Sequence, residues 1–218
     1  MQPAGRPAGY RPTPNRRSRS SSAASRCPSC SRIRRIAIAA TTGLRLGEVL
    51  GLTWSAIDLE AGTLRVVASL QLIAGELVSV EPKTDRDRRT VALPPATVAL
   101  LRRHRADQAR RRLVMGEAWP TGEIVCDRGD GHPMNPTTLS RVFARIAAAA
   151  GVSGTRFHDL RHAYATTLLA ANVHPKVVSD ALGHSSAAFT MDTYQHLLPS
   201  LSHTAAAAIE AALGEHLG

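Results

Sequence analysis

Lysine is almost missing from this sequence. Of 27 basic residues in 218, only Lys83 and Lys176 are lysines and the rest are arginine, so a lysine here is an exception that calls for a reason, since a guanidinium does not give up its proton and an ammonium can. Long apolar runs are lacking too. No stretch of 18 apolar residues is present to span a bilayer, and the N-terminus has no apolar core of the secretory kind. Cysteine occurs three times, at positions 27, 30 and 126. That is too few for a disulfide framework, and the single C-x-x-C of Cys27 and Cys30 lacks the second ligand pair of a zinc module. These absences read as a cytoplasmic chain with reduced thiols, no metal and no membrane partner. Acidic residues are absent before Glu48, and tyrosine occurs only at positions 10, 164 and 194.

What is present divides the chain in two. Residues 1–31 are rich in Pro, Ser, Gly and Arg without period and are expected to be a disordered tail. Nine arginines fall within the first 35 residues, which leaves 18 basic residues against 17 acids in the rest. The net charge of +10 therefore sits mostly at the N-terminus, and a basic face on the folded body has to come from segregation of charge. The hydrophobic content of 44% suits one domain, over 32–218.

Within that body, "RIRRIAIAATTGLRLGEVLGLTW" repeats apolar residues at helical spacing, pauses at Gly43 and restarts at Leu46. The runs "GTLRVVASL", "GELVSVE" and "RTVALP" predict a small antiparallel sheet of about three strands. Helical patterns follow near 95–115, 136–150, 158–171, 175–182, 189–197 and 200–215. The fold class is mainly α with a small three-stranded antiparallel sheet, an α+β arrangement.

"FHDLRHAYATTLL" puts His158 and Arg161 three apart at a helix start, beside an apolar stripe of Leu160, Tyr164 and Leu168. Residues at that spacing are helix-surface neighbours, so the two cations are expected to point the same way, where free N–H groups already favour an anion. Together with "TTGLRLGEVLGLTWSAIDLE", "ALGHSS" and "MDTYQHLLP", this segment resembles the catalytic domain of tyrosine recombinases, the phage-integrase family. The resemblance runs over about 33–218 with its motifs in order.

It implies a catalytic set of Arg45, Lys83, His158, Arg161, His184 and Tyr194, supported by Glu48 one turn after Arg45. The chemistry suits these residue types. Two guanidinium forks meet the charge of a phosphodiester, which grows in the transition state. Tyr194, flanked by polar residues, is the nucleophile, whereas Tyr164 belongs to a buried stripe. His158 is the expected base, and His184 donates to a phosphate oxygen. Lys83, on a hairpin turn, protonates the departing 5′ oxygen. His162, His174 and His196 read as surface or structural residues.

The resemblance further implies DNA strand cleavage and rejoining through a 3′-phosphotyrosyl intermediate on double-stranded DNA, without a cofactor, by tetramers. Such proteins carry a core-binding domain ahead of the catalytic one, and none is legible here. Two alternatives stay open at this point: a nicking-closing enzyme of type IB topoisomerase character, and a truncated DNA-binding remnant that does not recombine.

Overall fold

The computed structural model describes residues 28–82 and 87–183, with side chains described from Ile33 onward. The expected helices at 189–197 and 200–215 lie outside the described residues. Helix α1 (Pro28–Thr42) is followed by the short α2 (Leu46–Leu50) and a 3-10 turn at Trp54–Ala56. Five strands come next: β1 (Ile57–Asp58), β2 (Thr63–Arg65), β3 (Ser69–Ile73), β4 (Glu76–Val80) and β5 (Thr90–Ala92). Helices α3 (Pro95–Met115), α4 (Pro136–Ala149), α5 (Asp159–Ala170) and α6 (Pro175–Leu182) complete the described chain. Helix α1 reaches a few residues into the span read as tail.

Proline opens α3, α4 and α6, where a missing N–H costs nothing and the fixed φ suits the first turn. Asn135 caps α4 by accepting from the Thr137 N–H at 2.9 Å. His174 does the same for α6, its Nδ1 accepting from the Lys176 N–H at 3.2 Å.

The sheet differs from the expectation in its composition. The run "GTLRVVASL" does not form one strand; it breaks after Arg65 and resumes at Ser69. Strand β2 lies at the centre of a three-stranded antiparallel sheet in the order β1-β2-β5, with Leu64 opposite Val91, while β3 and β4 form a separate hairpin with Leu72 opposite Leu77. Packing accounts for the break. Helix α2 lies against the backbone at 68–70 through two glycines one turn apart. A β-carbon on Gly47 would stand 2.9 Å from the Leu70 carbonyl, and one on Gly51 3.0 Å from that of Ala68. A larger residue at either place would push the strand away. The hairpin leaves Leu72, Ile73, Leu77 and Val78 between 36% and 48% exposed.

One apolar core joins α1, α2, the sheet, α3 and α4, around Ile38, Leu50, Leu64, Leu101, Val125 and Leu139. A second, smaller cluster lies between α5 and α6, made of Ala165, Leu169, Val178 and Leu182, with Tyr164, Leu168 and Val173 packed against it. Polar groups enter the main core in pairs. Arg35, 1% exposed, donates to the Asp127 carbonyl, and the Asp127 carboxylate accepts from Gln108 at 3.0 Å and Arg111 at 3.3 Å. His104 bonds the Val125 carbonyl at 2.6 Å. Cys126 is fully buried, and burial pushes its thiol up to about 12, so it stays protonated.

Candidate active site

The site begins where α1 ends. Gly43 sits at φ +65°, a left-handed conformation that a side chain resists, and turns the chain from α1 toward α2. The space beside it is taken: a β-carbon there would be 2.5 Å from the Tyr164 ring. Two residues on, Arg45 has extended backbone and precedes α2. Glu48, in the first turn of α2, reaches back to accept from the Arg45 N–H at 2.8 Å and from Arg45 Nη1 at 2.9 Å.

Glu48 is 5% exposed, so its charge needs compensation from inside the protein. Arg89, just before β5, supplies most of it. Its Nη1 and Nη2 donate to the two oxygens of Glu48 at 3.0 and 2.8 Å, a bidentate fork. Burial pushes the Glu48 carboxyl up, but the hydrogen bonds and charges of Arg89 and Arg45 outweigh it and hold the group below its ordinary value. Arg45 Nη1 also meets Asp87 at 3.1 Å, and the side chain of Arg45 keeps 41% of its surface exposed.

Arg161 comes from α5. Expected to point the same way as His158, it differs from it in burial: Arg161 lies inside and His158 is exposed. The buried line of α5 is Arg161, Ala165 and Leu169, one residue on from the stripe read from sequence, and Leu160, Tyr164 and Leu168 are half-buried beside it. Arg161 is 4% exposed and donates through Nη1 to the Gly43 carbonyl at 2.8 Å and through Nη2 to the Leu182 carbonyl at 2.6 Å. His158 precedes the first turn of α5 and points outward, its ring edge-on to His162 with centroids 4.9 Å apart. Partial burial and the charges of His162 and Arg161 lower its pKa from the ordinary 6.5, favouring the neutral imidazole. The nearby carboxylate of Asp159, which accepts from the Arg156 N–H at 2.8 Å, opposes that shift without reversing it.

Three arginines from three parts of the chain thus converge on the end of α6. Arg89 Nε donates to the carbonyl of Ala181 at 2.7 Å, Arg161 to that of Leu182 at 2.6 Å, and Arg45 Nη2 to that of Gly183 at 3.2 Å. Carbonyls at a helix C-terminus have no partners within the helix and carry partial negative charge, so each is a natural acceptor for a cation. Of the residues expected at the site, Arg45, Glu48 and Arg161 are gathered here with His158 beside Arg161. Lys83, His184 and Tyr194 lie outside the described residues, and His184 follows Gly183 directly in the chain.

The model of the phage integrase family matches residues 17–200. The chain belongs to the phage integrase family. This integrase-family chain is 33% identical over 170 residues to a XerC-like tyrosine recombinase of Caldanaerobacter subterraneus subsp. tengcongensis, covering 72% of the chain and 44% of that relative. It is 34% identical over 136 residues to an integrase of Saccharopolyspora erythraea, covering 62% and 31%. The chain therefore spans less than half the length of these curated relatives. Among solved structures, it resembles the Tn1549 transposon integrase in complex with transposon right end DNA, with a TM-score of 0.64 at 23% identity over 74% of this chain and 53% of that one. The XerA recombinase gives 0.57 at 22% identity over 82% and 60%. Both show the fold of the family.

The sequence reading missed Arg89 and Asp87. For Arg89 a signal exists: Arg89, Val91 and Leu93 are all buried, the period of two that places alternate residues of a strand on its inward face. An arginine on that parity needs an internal acid, and Glu48 is it. Asp87 has no comparable mark. The arginines of α3 are largely engaged within the chain: Arg102 with Glu60, Arg110 with Asp107, Arg111 with Asp127, and Arg105 over the Trp54 ring at 5.5 Å.

Proposed function

We propose that this chain is the catalytic domain of a site-specific DNA recombinase or integrase, acting on double-stranded DNA in the cytoplasm as part of a tetramer and without a cofactor. The observation that carries the reading is the convergence of Arg45 and Arg161, 116 positions apart in sequence, on the chain that leads into His184. A pair of guanidiniums held by backbone carbonyls and one buried acid is preorganised for a phosphate. Arg45, the more exposed of the two, exchanges the Gly183 carbonyl and Asp87 for phosphate oxygens.

In this reading the Tyr194 hydroxyl attacks phosphorus while His158, neutral at pH 7, accepts its proton. The bond from phosphorus to the 5′ oxygen breaks, and that oxygen takes a proton from Lys83. The product is a 3′-phosphotyrosyl link and a free 5′ hydroxyl. The 5′ hydroxyl of a partner strand then attacks the link, its proton returning to Lys83 and that of the imidazolium to Tyr194. The phosphodiester energy is conserved, so the chemistry draws on neither metal nor nucleotide. The catalytic domain occupies 32–218.

The test is covalent capture. The chain is incubated with a pool of randomised duplexes, denatured, and the attached DNA recovered and the peptide mapped. Attachment at Tyr194 is expected, lost in Tyr194→Phe and kept in Tyr164→Phe. Burial raises the Tyr164 phenol above its ordinary value, which opposes its use as a nucleophile. Adduct formed by Tyr194→Phe would refute the assignment, and a supercoil-relaxation assay separates nicking-closing from strand exchange.

A further inference from the structure

Arg89 stands in none of the motifs that carry the catalytic set, yet all three nitrogens of its guanidinium are engaged beside them. Its side chain is 6% exposed. One edge of the guanidinium, Nη1 and Nη2, faces the Glu48 carboxylate, and the opposite nitrogen, Nε, faces the Ala181 carbonyl at 2.7 Å. One rigid plane therefore joins the acid that orients Arg45 to the end of α6, three residues before His184.

We propose that Arg89 is a positioning residue for strand cleavage: it sets the Glu48 carboxylate so that Arg45 is presented to the phosphate, and it fixes the end of α6 relative to Arg45. The proposal rests on the strand-transfer reading above. The physical case is one of sharing. Glu48 carries one negative charge and is approached by two guanidiniums. Arg89, by taking both carboxylate oxygens, weakens the hold of Glu48 on Arg45, so that Arg45 keeps charge to offer an incoming anion. Without Arg89 the buried carboxylate has Arg45 as its one charged partner among the described residues and draws it back from the phosphate. A lysine cannot replace it, because a single ammonium on a flexible stem does not hold a bidentate acid and a carbonyl on opposite edges.

The experiment uses the full chain and a duplex that the parent has selected covalently from the randomised pool. Single-turnover adduct formation at saturating DNA, the DNA dissociation constant and the thermal midpoint are measured for Arg89→Lys, Glu48→Gln and the double variant. Arg89→Lys is expected to form adduct about 10- to 100-fold more slowly, the range for misplacing a clamp without removing it. Its DNA dissociation constant should stay within about threefold of the parent, since the loss is confined to the transition state. The deficit should persist on a duplex with sulfur at the 5′ bridging position, which relieves the acid and not the clamp. In the Glu48→Gln background Arg89→Lys should add little, because both changes break one connection.

A parental rate for Arg89→Lys overturns the proposal. So does a slowing that adds in full to that of Glu48→Gln, which marks Arg89 as general scaffolding. If Arg89→Lys does not fold, the neutral pair Glu48→Gln with Arg89→Gln decides the matter: slow adduct with parental DNA affinity supports it, and a parental rate overturns it. A parent that forms no adduct on any duplex overturns the strand-transfer reading itself, an outcome distinct from all of these.

Discussion

Arg161 and Gly43 are joined across 118 positions of sequence by a 2.8 Å bond from the guanidinium to the glycine carbonyl. Gly43 therefore does two things that a side chain would spoil. It holds a carbonyl toward α5 at φ +65°, and it leaves room for the Tyr164 ring. Gly43→Ala is expected to destabilise the domain by about 2–4 kcal/mol, from left-handed strain plus overpacking. Urea unfolding measures it, and a change below about 0.5 kcal/mol, the size of a neutral surface substitution, would contradict the packing described.

Glu48 gives the domain an acid-sensitive element. Its carboxyl is held below the ordinary 4.5 in the folded state. A depressed folded-state value means that the stability it contributes is complete above the ordinary value and is lost as pH falls from there through the lowered one. Glu48→Gln should flatten the fall in unfolding free energy as pH drops below the ordinary 4.5. At pH 7 it should cost about 3–5 kcal/mol, because Arg89 is left buried without its acid. A variant whose acid sensitivity matches the parent's would show that other carboxylates govern that limb.

On the proposed mechanism, His158 sets the acid limb of cleavage. As a base it acts neutral, and burial with the charges of His162 and Arg161 lowers its pKa from 6.5. The rate of adduct formation should therefore hold as pH falls through 6.5 and decline below it. His162→Gln removes one of the depressing groups and should move the decline upward, toward 6.5. A limb in the parent at or above 6.5 that ignores this change would assign the base to another residue.

Lys83 is tested by the leaving group. On an ordinary phosphodiester, Lys83→Ala should slow cleavage by about 10²- to 10⁴-fold, the usual worth of a positioned acid. A 5′ bridging sulfur leaves as a thiolate of much lower pKa and needs no proton, so the variant should cleave that duplex at nearly the parent's rate. Arg45→Ala should stay slow on both. Equal loss by Lys83→Ala on oxygen and sulfur would move the acid role elsewhere, with His184 next to test.

Helix limits were the most legible part of this chain, because proline and apolar period mark them locally: α3 begins and ends where the pattern does. What the pattern does not contain is partners. A three-residue spacing at the head of α5 implies neighbouring cations, but Arg161 turns inward because two distant carbonyls, at Gly43 and Leu182, accept from it. The strand "GTLRVVASL" reads as continuous because its apolar alternation is, and the break reflects helix α2 pressing through Gly47 and Gly51. Arg89 hid for the same reason. Its acid is 41 positions away, and only the fold brings them together.

Among the described residues, the small cluster between α5 and α6 has four buried apolar side chains, fewer than the main core. It is joined to the larger body by the packing of α5 on α1 and by the guanidiniums of Arg45, Arg89 and Arg161. Amide protons of α6 should consequently exchange through local opening at a lower free energy than those of α1. On the proposed function, each arginine that a phosphate recruits is one that the resting fold uses as a fastener, so occupancy of the site and breathing of the last described helix are thermodynamically linked.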